Sequence, residues 1–164
     1  MEEILSGEMR SRALILAHKF GLFRCISGRV VSAESMAQEL GILNVVMLKK
    51  LLRVLEGLDL VQSTNDGYVN TPAAERALIP ESPTYIGAMI DFFADQYVHK
   101  TTLRLYEILK NNRVLVERPT QVEWENYLSG MACVARLSAS KIAEALALEG
   151  VNSLLDLGGG PGSY

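Results

Sequence analysis

Apolar residues in the first third of the chain recur at helical intervals. Ile4, Met9, Ala13, Leu16, Ala17 and Phe20 fall roughly at helical spacing and predict a helix from about Ile4 to Phe23, with Gly21 placed to stop or bend it. Ser32 is a candidate N-cap for a short helix, Ala33 to Leu40, where Glu34 suits the positive end of the helix and Gly41 ends it. Asn44 is a candidate cap for a third helix, Val45 to Leu58. Leu48, Leu51, Leu52, Leu55 and Leu58 form its apolar stripe, and Lys49, Lys50, Arg53 and Glu56 lie off that face. Leu60-Val61-Gln62 and Tyr68-Val69-Asn70 flank Asn65-Asp66-Gly67, where an Asp-Gly pair offers positive φ angles to a tight hairpin turn. Three helices followed by a hairpin is a winged-helix order. Thr71-Pro72 opens another short helix, with proline at its first position.

Ile79-Pro80-Glu81-Ser82-Pro83 reads as a linker. From Tyr85 to about Lys110 a helical pattern returns, dense in large apolar residues such as Met89, Phe92, Phe93, Tyr97, Leu103 and Tyr106, a composition suited to a subunit interface. Asn111-Asn112 breaks it, and Arg118-Pro119 falls in a loop. A long helix is expected from about Gln121 to Leu148, with Gly130 a candidate bend. Ser153-Leu154-Leu155-Asp156-Leu157 then reads as a short buried strand running into Gly158-Gly159-Gly160-Pro161-Gly162. The expected divisions are a winged-helix region over 1–80, connector and interface helices over 81–150, and the opening of an α/β domain over 151–164.

Composition narrows the chemistry. Of 164 residues 49% are hydrophobic and 21% charged, which describes a globular chain, and the net charge of −3 supplies no general field for nucleic acid or acidic lipid. Cys25 and Cys133 have no metal or redox spacing and are expected to be ordinary buried thiols. His18 and His99 have no partner at useful spacing, so no metal site is expected. No apolar run approaches the ~20 residues that span a bilayer, and the Met1-Glu2-Glu3 start lacks the positive charge of a secretory signal. No membrane partner and a cytoplasmic setting follow as expectations.

The glycine run carries the most specific signal. A strand ending in a glycine-rich turn is how a doubly wound α/β domain opens its nucleotide site, because glycine lets the backbone approach a ligand closely. Gly158 and Gly160 fit the first two positions of a dinucleotide fingerprint, but Ser163 stands at the third and Pro161 inside the turn. The spacing Gly158-x-Gly160-x-Gly162, with Asp156 two residues ahead, instead resembles the first motif of S-adenosylmethionine-dependent methyltransferases. The resemblance reaches upstream. The winged-helix region, its leucine- and arginine-rich third helix Leu51-Leu52-Arg53-Val54-Leu55-Glu56-Gly57-Leu58, and the long helices after it are similar to the O-methyltransferases that include plant phenolic and bacterial antibiotic enzymes.

That resemblance implies a mainly α fold: a winged-helix dimerisation domain with extra long helices, then the first strand and glycine loop of a truncated Rossmann-like domain. It implies a homodimer interlocked by its N-terminal helices, S-adenosylmethionine as cofactor at Asp156, Gly158, Gly160 and Gly162, and a small-molecule hydroxyl as acceptor. Tyr127 and Met131 are similar in spacing to an aromatic and a methionine that help line the family's active site, although Ala135 stands where members often place a serine. The family's usual base is a histidine far beyond the glycine motif, so no catalytic residue is expected in this chain, and the chain alone is expected to be inactive. Two other classes stay open. Lys49, Lys50 and Arg53 on a third helix allow a winged-helix transcription regulator, although Glu34, Glu39, Glu56, Asp59 and Asp66 surround them with charge that repels phosphate. A non-catalytic partner of a full-length methyltransferase is the third reading.

Overall fold

The three expected caps are formed. In the computed structural model, which describes residues 2–94, 105–106, 108–111, 119–146, 148–160 and 162, Ser32 Oγ accepts the Ser35 amide at 3.1 Å, Asn44 Oδ1 the Met47 amide at 3.0 Å, and Thr71 Oγ1 the Ala74 amide at 3.2 Å. Each satisfies a donor that a helix start leaves without an intrahelical partner. They open α3 (Ala33–Glu39), α4 (Val45–Gly57) and α5 (Pro72–Leu78), the last with Pro72 in its first turn.

The first helical stretch is two helices rather than one. α1 spans Glu2–Phe20 and α2 spans Leu22–Cys25. Gly21 between them adopts φ 71° and donates its amide to the His18 carbonyl at 2.9 Å. The left-handed residue ends α1 and turns Leu22, Phe23 and Ile26 into the core. Ala13 and Ala17 of α1 are buried, whereas Met9, Leu16 and Phe20 remain exposed. On α4 the buried residues are Leu48, Leu52 and Leu55.

The hairpin pairs β1 (Val61–Ser63) with β2 (Tyr68–Asn70), Val61 opposite Asn70 and Ser63 opposite Tyr68. Its loop differs from the expected Asp-Gly turn. Four residues, 64–67, connect the strands, and Gly67 alone among them has positive φ, at 152°. Thr64 closes the loop: its amide donates to the Gly67 carbonyl at 2.7 Å and its hydroxyl accepts the Asp66 amide at 3.3 Å. Val31 joins β2 as a one-residue bridge that sequence reading does not find, exchanging bonds of 3.0 and 2.9 Å with Tyr68. A Cβ on Gly67 would stand 2.4 Å from the Val31 carbonyl oxygen, so the bridge and the glycine require each other.

Backbone proximity divides the chain into Met1–Gly87 and Ala88–Tyr164. In the second unit α6 (Gly87–Ala94) continues from the first, residues 108–111 are helical, and α7 runs unbroken over Gln121–Leu146. Gly130 does not interrupt α7. It is buried, and a Cβ there would stand 3.0 Å from Phe92 Cβ, so the glycine admits close approach of α6. Cys25 and Cys133 are both buried and form no disulfide. Tyr97, His99, Leu103 and Arg118, named in the sequence pattern, lie outside the described residues, as do Pro161 and Ser163. The strand expected at Ser153–Leu157 is not formed. Those residues are in neither helix nor strand, and Leu154, Leu155 and Leu157 are largely exposed, because a parallel strand needs neighbours on both edges and cover on both faces.

One carboxylate ties the first unit together. Glu75 accepts the Ser27 hydroxyl at 2.9 Å, the Gly28 amide at 3.1 Å and the Asn70 amide nitrogen at 2.9 Å, and the same Asn70 nitrogen donates to the Phe23 carbonyl at 2.8 Å. Partial burial pushes the Glu75 pKa up, but the bonds from Asn70, Ser27 and Gly28 outweigh it and hold the group below its ordinary 4.5. A depressed folded-state pKa contributes stability that is complete above the unfolded value and is lost as pH falls through the folded one. Glu75→Gln is therefore expected to cost about 1–2 kcal/mol near pH 7. The gap to wild type should narrow as pH falls below 4.5, which urea unfolding at several pH values measures; a gap independent of pH would show that the charge contributes nothing.

Candidate functional site

Three places bear on function: the glycine loop, the aromatic face of α7, and the outer face of α1 and α4. The glycine loop is the most constrained by its backbone. Gly158, Gly160 and Gly162 have φ of 80°, 55° and 64°, a region that L side chains rarely adopt. The Gly162 amide donates to the Gly159 carbonyl at 2.9 Å. The Asp156 carboxylate lies against Gly159 so closely that a Cβ there would collide with it. A carboxylate beside exposed backbone turns suits a ligand that carries an ammonium group.

Tyr127 and Met131 lie one turn apart on α7. The Tyr127 ring meets Phe92 edge-on at 5.8 Å between centroids and stacks on Trp124 at 5.4 Å with planes 20° apart. Ala135, one further turn along, is buried. Among the described residues no hydrogen bond or ring contact joins Tyr127 or Met131 to the glycine loop.

The outer face of α4 carries an apolar groove, with Lys50 and Arg12 also in its lining and Lys49 and Arg53 exposed on the same helix as Lys50. Lys49 Nζ lies 2.6 Å from Glu34 Oε1. The Glu34 hydrogen bond raises the Lys49 pKa, and the same bond lowers that of Glu34. Beside the pair, Leu43 is 99% exposed, and Val46, Met47 and Val54 are also exposed. With Leu16 and Phe20 of α1 and Leu51 of α4, Leu43, Met47 and Val54 line an open groove of about 700 Å³. Apolar surface left in contiguous patches marks an interaction site. Met47 and Val54 were missed in reading the sequence, although with Leu51 they are spaced at four and three residues and so share one side of α4.

Residues 2–79 match the family described as the O-methyltransferase dimerisation domain. Over those residues the chain resembles an O-methyltransferase dimerisation domain. The apolar groove lies within the matched residues. The chain is 26% identical over 173 residues to a 3-hydroxy-5-methyl-1-naphthoate 3-O-methyltransferase of Streptomyces sahachiroi, covering 99% of this chain and 49% of that protein. It is 26% identical over 171 residues to a phenazine-1-carboxylate N-methyltransferase of Pseudomonas aeruginosa, covering 98% of this chain and 50% of that one. The chain thus spans about half the length of the curated relatives it matches. Among solved structures, human N-acetylserotonin methyltransferase in complex with S-adenosylmethionine superposes with a TM-score of 0.84 at 20% identity, over 99% of this chain and 52% of that one. An O-methyltransferase family protein from Burkholderia thailandensis gives 0.82 at 22% identity, over 99% and 49%. The mainly helical dimerisation fold is common to all of these structures.

The Glu34–Lys49 pair removes one of the three cations of α4 from phosphate contact, and the apolar groove takes up part of the face, so DNA recognition by α4 is disfavoured, since affinity for a duplex rests on cations that neutralise phosphates. We expect no retardation of a random DNA duplex at low salt. Salt-dependent retardation that weakens in a Lys49→Gln, Lys50→Gln, Arg53→Gln variant would restore the regulator reading.

Proposed function

We propose that this chain is the dimerisation part of an S-adenosylmethionine-dependent methyltransferase that acts as a homodimer on the hydroxyl of a small molecule. The observation that carries the proposal is the extent of the matches. They run over 98–99% of the chain and so continue past the dimerisation domain, through α7, to the glycine loop. The hydroxyl follows the family and the naphthoate relative; the phenazine relative is an N-methyltransferase by name.

The residues of the loop fit the cofactor. The Asp156 carboxylate is exposed beside it, and Gly158, Gly160 and Gly162 turn through positive φ with open space where a side chain would be. Asp156 would hold the cationic amino-acid end, and the glycine backbone would lie along the ligand without a Cβ between them. S-adenosylmethionine, when bound, supplies a methyl group activated by a sulfonium. Tyr127 and Met131 would form part of the wall that orients the acceptor, and orientation supplies much of the rate in an in-line transfer. No described residue is assigned the base that accepts the hydroxyl proton.

We further propose that the 164-residue chain does not turn over by itself. Leu154, Leu155 and Leu157 are exposed and unpaired as a strand, so the sheet that would seat Asp156 is not assembled. Incubation with S-adenosylmethionine labelled in its methyl group and a phenolic acceptor is expected to give no labelled product, and sustained transfer would overturn this. Dimerisation is tested separately. Phe20→Glu with Met47→Glu, both at exposed positions of the groove, is expected to shift the sedimentation-equilibrium mass at micromolar concentration from twice 18.0 kDa to 18.0 kDa, with helix content unchanged. A wild-type monomer would sink the dimer reading.

A further inference from the structure

We propose that Trp124 is a specificity residue, one that extends the acceptor wall and selects a neutral fused-ring hydroxyl compound over a single-ring one. The inference rests on the methyltransferase reading, which places Tyr127 and Met131 at the acceptor. It starts from a residue that no part of that reading uses. Trp124, the single tryptophan of the chain, is 51% exposed, yet its ring is not free to wander. It stacks on Tyr127 at 5.4 Å, and Tyr127 is held edge-on by Phe92 at 5.8 Å. Phe92 in turn is pressed against α7 where Gly130 has no side chain. An exposed aromatic with a fixed orientation loses little rotamer entropy when a flat ligand lies on it.

The register of α7 supports the assignment. Trp124, Tyr127 and Met131 stand at i, i+3 and i+7, which places them on one side of the helix. Trp124 therefore continues the surface of Tyr127 and Met131 by one turn, about 5 Å, roughly the added width of a second fused ring. Flat π-faces at stacking distance favour planar rings. Charge sets the other half of the preference. Glu123 and Glu125 are hydrogen-bonded away from Trp124, to the Thr120 amide and to Gln121, but they leave negative charge within one turn of it, which disfavours a carboxylate on the ligand relative to a neutral hydroxyl.

The sole tryptophan makes the test direct, because one indole N–H resonance reports this position. Titrating the ¹⁵N-labelled chain with 2-naphthol is expected to move that resonance upfield, and 2-naphthol should bind at least ten times more tightly than phenol. 2-Naphthoate should bind more weakly than 2-naphthol. In Trp124→Leu, followed by the Met131 methyl resonance, the preference for naphthol over phenol should fall below threefold with phenol binding unchanged, and Trp124→Phe should lie between. Helix content and melting temperature should match wild type, since the residue is half exposed. An unmoved indole resonance at saturating 2-naphthol overturns the proposal, as does an unchanged preference in Trp124→Leu. An indole resonance that follows protein concentration, not naphthol, assigns the face to a second copy and also overturns it. The two readings fail separately: a wild-type monomer with a Trp124-dependent naphthol preference would sink the dimeric methyltransferase and leave the aromatic platform standing.

Discussion

Leu48, Leu52 and Leu55 lie on the inner side of α4, each almost fully shielded from water, and α1, α3 and β1 all pack against that helix. Truncating one such leucine to alanine typically costs 2–5 kcal/mol, a large fraction of what holds a domain of this size together. The row also sets direction. With Leu48, Leu52 and Leu55 turned inward, Met47 and Val54 must face outward, and Leu43 just before the helix is exposed beside the same groove. Ala13 and Ala17 complete the arrangement: their small side chains let α1 lie close to the core, while Leu16 and Phe20 remain on the outer side beside the exposed positions of α4. The apolar groove is thus a by-product of how the core is packed.

Electrostatics are local and do not hold the fold together. Arg29 contacts Glu39 at 2.6 Å and Lys49 contacts Glu34 at 2.6 Å, but all four groups are about half exposed or more, where an ion pair contributes on the order of 0–1 kcal/mol. Their consequence is in what they prevent. With Lys49 engaged by Glu34, the helix that would read DNA in other winged-helix proteins shows a neutralised cation beside an apolar groove. Glu75 is different in kind: three donors from two segments converge on one partly buried carboxylate, so its contribution is to hold the turn after α2 and the end of β2 against α5.

Much of the first unit was legible in the sequence because its signals are local. A serine, an asparagine or a threonine ahead of an amphipathic run fixes a helix start by one side-chain bond, and all three starts were found. What escaped required contacts distant in sequence. Gly21 splits the first helix because Leu22, Phe23 and Ile26 have a core to enter. Gly67 is read locally as half of an Asp-Gly turn, but its backbone is shaped by Val31, thirty-six residues away. The outer stripe of α4 was overlooked because a single apolar stripe already accounted for the helix. In the second unit the glycine loop was recognisable from its spacing, and its φ angles explain the choice of glycine. The strand before it was not formed, since strand propensity alone does not supply neighbours for its edges. The Trp124–Tyr127 stack is visible as an i, i+3 pair but acquires meaning only with Phe92 behind it.

α1 divides its two sides between different tasks, alanines toward its own core and Leu16 and Phe20 toward the groove. In the proposed homodimer, the same helix completes the protomer and meets its partner. Folding and association then become one equilibrium, governed by mass action. The protein would grow more resistant to heat as its concentration rises, and dilution would act on it as a denaturant does.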